Sequence, residues 1–463
     1  MATLKTSKQL ADEAQTLASS FEYVRYRDVV YAPVDYETGA DDPIPAPERK
    51  AWVPLSLKDM QLKALRQFDT MFSDPRELGN FYYRVWQMSE LTSDDSPSQL
   101  LIKTVQGLRV MNFDGTLAKP DGMFIPNMLK PLLNEDKAAK EELLQIVTEW
   151  VGGSETEASS LLRHLATALS PHWSAGKYVL LIGGGRNGKS VLMQMLSSLF
   201  GKHNCSNVTR QEISEASQTL FDLNGSLLNV VYDGPETFLK DSGREKSLIT
   251  GEEVWLRKLY QSTGTMVQTN ALFIEGLNNE PRSKDKSSAL QARLVRFWFP
   301  NRYVDDPTFL KRMLSEPVLG AFLSLLLDHF VQEHETSVML APTQRSRELQ
   351  LEHMEENSLA MQFIMHVDDT DPFGADSLIG MSMEDLCAAF TAWRLSANDL
   401  TAWDPHSIQR MFRPVIDTER RSTRINGQPR KKRFVTKFSQ DAVNLLAMQK
   451  EEEDAGIAAM VED

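Results

Sequence analysis

Residues 178–190 read YVLLIGGGRNGKS, and the fold of this chain turns on them. Five consecutive apolar side chains, Tyr178 to Ile182, mark a strand buried on both faces, as in parallel sheets covered by helices. Gly183 to Ser190 matches G-x-x-x-x-G-K-[ST], a loop whose backbone N–H groups turn toward nucleotide phosphates. Glycines suit that role because a Cβ would obstruct the anion. Lys189 supplies a point charge for the phosphates, and the Ser190 hydroxyl is a ligand for Mg2+. A helix is expected next, with Val191, Leu192, Met195, Leu196 and Leu199 as its apolar positions and its positive end aimed at the anion. The expected nucleotide contacts are Gly183, Gly184, Gly185, Asn187 and Gly188, continuing through Lys189, Ser190 and Val191. The expected cofactors are ATP and Mg2+.

Strand and helix signals alternate onward from this loop, as in an α/β nucleotide-binding core. Leu227–Tyr232 (LLNVVY) is the next strand candidate and ends in Asp233-Gly234-Pro235-Glu236. An acid at the tip of an apolar strand is a Walker B arrangement, in which one carboxylate holds Mg2+ and another orients the attacking water. Asp233 is the second expected Mg2+ ligand, and the division of labour between Asp233 and Glu236 is open because Gly-Pro separates them. The alternative is a plain Asp-Gly-Pro turn. Ala271–Leu277 (ALFIEGL) is a third strand candidate and runs into Asn278-Asn279-Glu280-Pro281. An amide at that tip can position water, and Asn278 is the candidate. Glu275, an acid inside this apolar run, has no assigned role. Arg293 and Arg296 follow in LQARLVRFWFP, where an arginine could reach a neighbouring subunit's phosphate; each on its own reads as a surface arginine.

The wider chain limits the alternatives. Its 463 residues allow two to four domains, and 41% apolar with 25% charged residues is ordinary for a globular protein. No run of about 18 apolar residues could span a membrane. The first residues, MATLKTSKQLADEAQ, lack a signal-peptide profile, and Cys205 and Cys387 are too few for a disulfide framework or zinc cluster. A cytoplasmic location is expected, the host cytoplasm if the protein is viral. A net charge of −14 argues against a protein basic over its whole surface and leaves room for a local basic channel or patch.

GGGRNGKS, the strand ending in DGPET, SLITGEEVWLRKLY, the NNEP turn and LQARLVRFWF occur in that order. Together they resemble the superfamily 3 helicases of the phage and plasmid primase-helicase family, which include poxvirus-type primase-helicases, over roughly residues 105–300. The resemblance implies an AAA+ core in a homohexameric ring that draws single-stranded DNA through its centre, generally 3′ to 5′. It implies Lys189 and Ser190 as Walker A residues, Glu236 as the Walker B acid, Asn278 as the sensor and Arg293 as the arginine finger. It likens residues 254–273 to a pore hairpin, in which Arg257, Lys258 and Tyr260 are the candidates for gripping DNA. The tip expected by position, Gln261 to Thr265, carries no cation. Residues 100–174 resemble the collar-like helical domain that precedes such motors. No primase domain is evident, so a primase or DNA polymerase would be a separate partner.

Toward the C-terminus, SMEDLCAAFTAW (382–393) and Ser407–Arg413 read as helices, the second offering Arg410 and Arg413. RRSTRINGQPRKKRFV follows, two strand-like runs about the hairpin pair Asn426-Gly427, carrying Arg421, Arg424, Arg430, Lys431, Lys432 and Arg433 as well as Arg420. A helix followed by a basic hairpin outlines a winged helix, with the helix in a DNA groove and the wing on phosphates. A solvated basic tail is the alternative.

The expected fold is therefore α/β, an AAA+ P-loop core with a preceding helical collar-like domain and a C-terminal winged-helix-like domain. The expected order is a mixed α/β region at 1–99, the collar at 100–174, the ATPase domain at 175–332, a helical connector at 333–380, the winged-helix-like domain at 381–446 and an acidic tail at 447–463. The expected function is an ATP-dependent replicative helicase acting on single-stranded and forked DNA. The alternative is an ATP-gated initiator or loader that remodels DNA without processive unwinding.

Overall fold

β1 (Tyr178–Ile182) is buried at every residue, as its unbroken apolar run requires. The computed structural model describes residues 6–20, 23–26, 29–35, 50–55, 57–68, 70–72, 74–91, 100–119, 125, 127–234, 242–257, 264–280, 288–331, 340–396, 404–425, 428–444 and 446–447. After β1 come β2 (Cys205–Ser206), β3 (Leu228–Val231), the hairpin strands β4 (Val254–Arg257) and β5 (Gly264–Val267), β6 (Leu272–Leu277) and β7 (Leu294–Trp298). Five of these form a wholly parallel sheet in the order β2-β3-β6-β1-β7. The chain leaves β1 for the far edge, returns strand by strand to β6, and then crosses β1 to reach β7. That reversal opens a crevice beyond the carboxyl end of β1, the usual ligand position of open α/β sheets.

α1 (Lys189–Phe200) follows the glycine loop and buries Leu192, Met193, Met195, Leu196, Leu199 and Phe200. They join one core with residues of helices Lys137–Trp150, Glu155–Ala166 and Glu316–Asp328. The first two helices start where Asp136 and Ser154 accept hydrogen bonds from backbone N–H groups of their first turns. The expectation of a helical domain at 100–174 needs correction over residues 100–132. Leu117–Ala118, Gly107–Met111, Leu100–Thr104 and Met128–Leu132 form a four-stranded sheet in that order. The apolar runs at 100–104 and 107–111 are too short for helices, and Gly107 and Gly115 adopt φ values of 106° and 81° that suit reversals. Nearer the N-terminus, helices Ser7–Ser20, Leu57–Phe68 and Pro75–Met88 share a separate core around Leu17, Phe81 and Val85.

The chain divides into two compact units, one of residues 1–281 and 293–343, the other of 282–292 and 344–463. In the second, helices Gln344–Asn357, Leu359–Thr370, Met383–Ser396 and Pro405–Phe412 precede β8 (Ile416–Ile425) and β9 (Gln428–Phe438). Phe363 lies edge-on to Phe390 and to Phe412 at 5.7 and 5.9 Å. Leu359–Thr370 thus belongs to the C-terminal core, and the stretch expected as a connector is built into that unit. β8 and β9 pair antiparallel, with Ile425 opposite Gln428, and Ser382 bridges to Phe434. The turn residues Asn426 and Gly427 lie outside the described residues. Among the described residues, no helix is long and apolar enough to cross a membrane.

Candidate functional site

The loop from Gly183 to Gly188 sits at the carboxyl end of β1, and its glycines do two different jobs. Gly183 donates its N–H to the Leu277 carbonyl at 3.1 Å, and a Cβ there would stand 2.5 Å from both the Asn187 amide nitrogen and the Phe299 carbonyl oxygen. Gly188 has φ 95°, and a Cβ would meet the Trp150 indole at 2.5 Å. These two glycines are required by the loop's own packing. Gly184 and Gly185 have nothing within 4 Å of an added Cβ, so their open side is where an anion can approach.

Asn187 is buried and braces the loop: its Nδ2 donates to the Phe299 carbonyl at 3.2 Å, and its Oδ1 accepts from Lys189 Nζ at 3.1 Å. The Lys189 ammonium also donates to the Gly183 carbonyl. Burial lowers the Lys189 pKa, while the nearby Asp233 carboxylate works in the opposite direction. Ser190, at the start of α1, is exposed. The glycine N–H groups and Lys189 fit a polyphosphate, and the Ser190 hydroxyl and Asp233 carboxylate are oxygen donors suited to a hard divalent cation.

Asp233 and Asn278 reach the same end of the sheet as this loop. Asp233 follows β3 after Tyr232 and is exposed; the next residue, Gly234, donates its N–H to the Gly276 carbonyl at 3.0 Å. Asn278 directly follows β6, whose last residue, Leu277, is hydrogen-bonded to Gly183, so it stands exposed beside the start of the loop. Glu236 lies outside the described residues.

Glu275 is buried beneath this rim. A Cβ on Gly234 would lie 2.1 Å from its Oε1, so the carboxylate is seated under the turn that carries Asp233. Desolvation pushes the Glu275 pKa up to about 7, against the pull of Arg210. Arg210 is ion-paired to Glu245 at 2.6 Å and stands 5.7 Å from the Tyr178 ring centroid.

The two arginines separate clearly. The Arg293 carbonyl accepts the Tyr178 N–H at 2.8 Å, so Arg293 stands at the amino end of β1, whereas Trp298 pairs with Ile182 beside the loop. Five residues of strand, about 16 Å, part Arg293 from the loop of its own chain. Its side chain is half-buried. Arg296 lies within β7, has no exposed surface, and is held by Glu280 at 2.6 and 2.8 Å. Its candidacy for reaching another subunit is therefore withdrawn.

Sequence reasoning did not find the cleft beside the loop. It measures about 630 Å³ and is lined by Trp150, Arg186, Gly188 and Val191 on one side and by Tyr303, Phe309 and Leu310 on the other. Tyr303 donates its N–H to the Arg186 carbonyl at 2.7 Å, and Arg186 is ion-paired to Asp305 at 3.1 Å. Gly188 and Val191 among the walls were expected nucleotide contacts; nothing local ties residues 150 and 303 to residue 188.

β4 and β5 pair antiparallel, in the chain between the Asp233 turn and β6. Val254, Leu256 and Val267 point inward, and Trp255 faces out directly opposite Met266. Arg257 is the last residue of β4, while Lys258 and Tyr260 lie outside the described residues. In the C-terminal unit, Arg410, Arg413, Arg421 and Lys431 are exposed, and Arg433 is half-buried. Lys432 is ion-paired to Glu384 at 2.5 Å. Arg424 and Arg430 occupy ladder positions opposite Pro429 and Thr423.

Fold and site together define a parallel α/β protein with a glycine loop at the reversal of its strand order. A family of unknown function (DUF5906) matches residues 181–293, from the end of β1 through Arg293. No curated protein matches the chain. Among solved structures, the A form apo structure of the NrS-1 C-terminal region is similar over 94% of this chain and 100% of that one, at 12% identity and a TM-score of 0.46. Another apo structure of the NrS-1 C-terminal region covers 93% of this chain and 100% of that one, at 12% identity and a TM-score of 0.43. A JCV helicase with a bound thiazolopyridine acetamide compound matches over 47% of this chain and 62% of that one, at 17% identity and a TM-score of 0.27.

Proposed function

We propose that this chain is an ATP-dependent DNA helicase of the AAA+ superfamily 3 type, working as a homohexameric ring on single-stranded and forked DNA. The observation that carries this reading is one of placement. Lys189, Asp233 and Asn278 converge on one end of the sheet, while Arg293 stands at the other. A finger in that position could complete only a site belonging to another subunit, which is the arrangement a ring requires.

In this reading the nucleoside occupies the cleft between Trp150 and Tyr303, and the polyphosphate lies over the open faces of Gly184 and Gly185. Lys189 exchanges its contacts with Gly183 and Asn187 for phosphate oxygens, whose negative charge offsets the cost of burying its ammonium. Mg2+, held by Ser190 and Asp233, would offset the charge that develops on the phosphates. Asn278 orients water, and Glu236 or Asp233 accepts its proton. The β4–β5 hairpin, carried in the chain between the Asp233 turn and the Asn278 strand, would move DNA in the 3′ to 5′ sense. A primase or DNA polymerase would act as a separate chain.

Lys189→Ala tests the reading. Hydrolysis should vanish and displacement of a strand from a forked duplex with it, while DNA binding persists. ATPase activity retained by this variant would remove the assignment. The basic β8–β9 hairpin also favours a second reading, an ATP-gated initiator or loader; single-stranded DNA stimulating hydrolysis without any strand displacement would select it.

A further inference from the structure

We infer that the β8–β9 ribbon lies in the major groove of duplex DNA, with cations on both of its faces meeting phosphates of both strands. This rests on the reading of the C-terminal unit as a DNA-binding part, and specifies its substrate as duplex.

Alternate residues of a strand point to opposite faces, and opposed residues share one. The ladder opposes Arg420 to Arg433 and Ser422 to Lys431, which places three cations on one face. The intervening pair, Arg421 with Lys432, places two more on the other. Like charges directly opposite each other destabilise a ladder. Two such pairs stand side by side here, in a chain whose net charge is −14. Among the described residues the compensation is local: Glu419 lies 3.3 Å from Arg421, and Glu384 holds Lys432. A polyanion on both sides would relieve the repulsion.

A single DNA strand can neutralise one face at a time. A ribbon between two backbones has phosphates on each side. The major groove, about 12 Å wide, admits a two-stranded ribbon, whereas the minor groove, about 6 Å wide, does not. The cationic part, six residues from Arg420 to Ile425, extends roughly 20 Å, enough to lie along the groove.

The neighbouring helix is poorly equipped for that place. Recognition helices present their N-terminal residues to base edges. Helix Pro405–Phe412 begins at Asp404, whose carboxylate accepts the N–H groups of His406 and Ser407 at 2.9 and 3.0 Å. An anion at that end repels phosphate, and the helix's exposed cations, Arg410 and Arg413, lie at its far end. Binding through the ribbon would therefore be largely independent of sequence.

The test measures binding of the full chain to 24-base-pair duplexes of two unrelated sequences and to the matching single strands, across a salt series. Duplexes should bind equally to each other and at least tenfold more tightly than single strands. Arg420→Gln with Arg433→Gln removes cations from one face; Arg421→Gln with Lys432→Gln removes them from the other. Each pair should weaken duplex binding about tenfold or more and reduce the salt slope by about two. Arg410→Gln with Arg413→Gln should weaken it less than either pair. Single strands bound as tightly as duplexes, or one face carrying the whole effect, would overturn the inference while leaving DNA binding intact. Binding to neither form would overturn the DNA-binding reading itself.

Discussion

Glu280 grips the Arg296 guanidinium through contacts of 2.6 and 2.8 Å, while Arg293, three residues earlier, keeps part of its surface open to solvent. The pair predicts opposite phenotypes. Arg296→Ala would remove the buried guanidinium that Glu280 holds, a loss of about 3–5 kcal/mol of stability. Arg293→Ala should cost about 1 kcal/mol or less, spare nucleotide binding and abolish turnover. Mixing it with Lys189→Ala subunits should restore some activity. Denaturant titration and ATPase assays on both variants and the mixture would check this, and absence of recovery on mixing would exclude a finger acting between subunits.

The glycines should divide by role. Gly188→Ala drives a methyl into the Trp150 indole from a backbone at φ 95°, costing about 2–4 kcal/mol even without ligand. Gly184→Ala meets nothing within 4 Å and should leave the melting temperature within about a degree or two, yet weaken nucleotide binding. Thermal melts with and without ATP separate the two. Equal destabilisation by both changes would contradict the division.

Tyr303 is a cleft wall remote from Asp233 and Asn278 in the sequence. Removing its ring in Tyr303→Ala should weaken ATP and ADP by the same factor, about 5–30-fold, with little change in turnover at saturation. Fluorescence titrations with both nucleotides measure this. A loss confined to turnover would place the nucleoside elsewhere.

Two buried groups give opposing pH responses. Burial lowers the His164 pKa from 6.5 to about 4, so its stability contribution is complete above pH 6.5 and is lost as pH falls toward 4. Desolvation raises the Glu275 pKa from 4.5 to about 7, so its contribution is complete below pH 4.5 and is lost as pH rises toward 7. In the wild type the slopes offset each other between pH 4.5 and 6.5. Glu275→Gln should gain stability relative to wild type as pH rises from 4.5 to 7, by on the order of 1–3 kcal/mol. The advantage of wild type over His164→Asn should shrink as pH falls below 6.5. Unfolding midpoints across pH 4.5–7.5 measure both, and parallel curves for the three proteins would refute the assignments.

The amino-acid sequence alone determined the strand–loop–helix unit at 178–200, the acid and amide strands after it, and the pairing of the C-terminal hairpin. Each depends on apolar periodicity or turn chemistry acting over about a dozen neighbouring residues. Only the tertiary structure decided which glycines of the loop face open space, that Arg296 is buried while Arg293 lies at the far end of β1, and that Trp150 and Tyr303 wall one cleft. It also drew Leu359–Thr370 into the C-terminal core. These outcomes depend on which surfaces meet after collapse: burial and charge pairing join residues that are remote along the chain, and no local pattern encodes that distance.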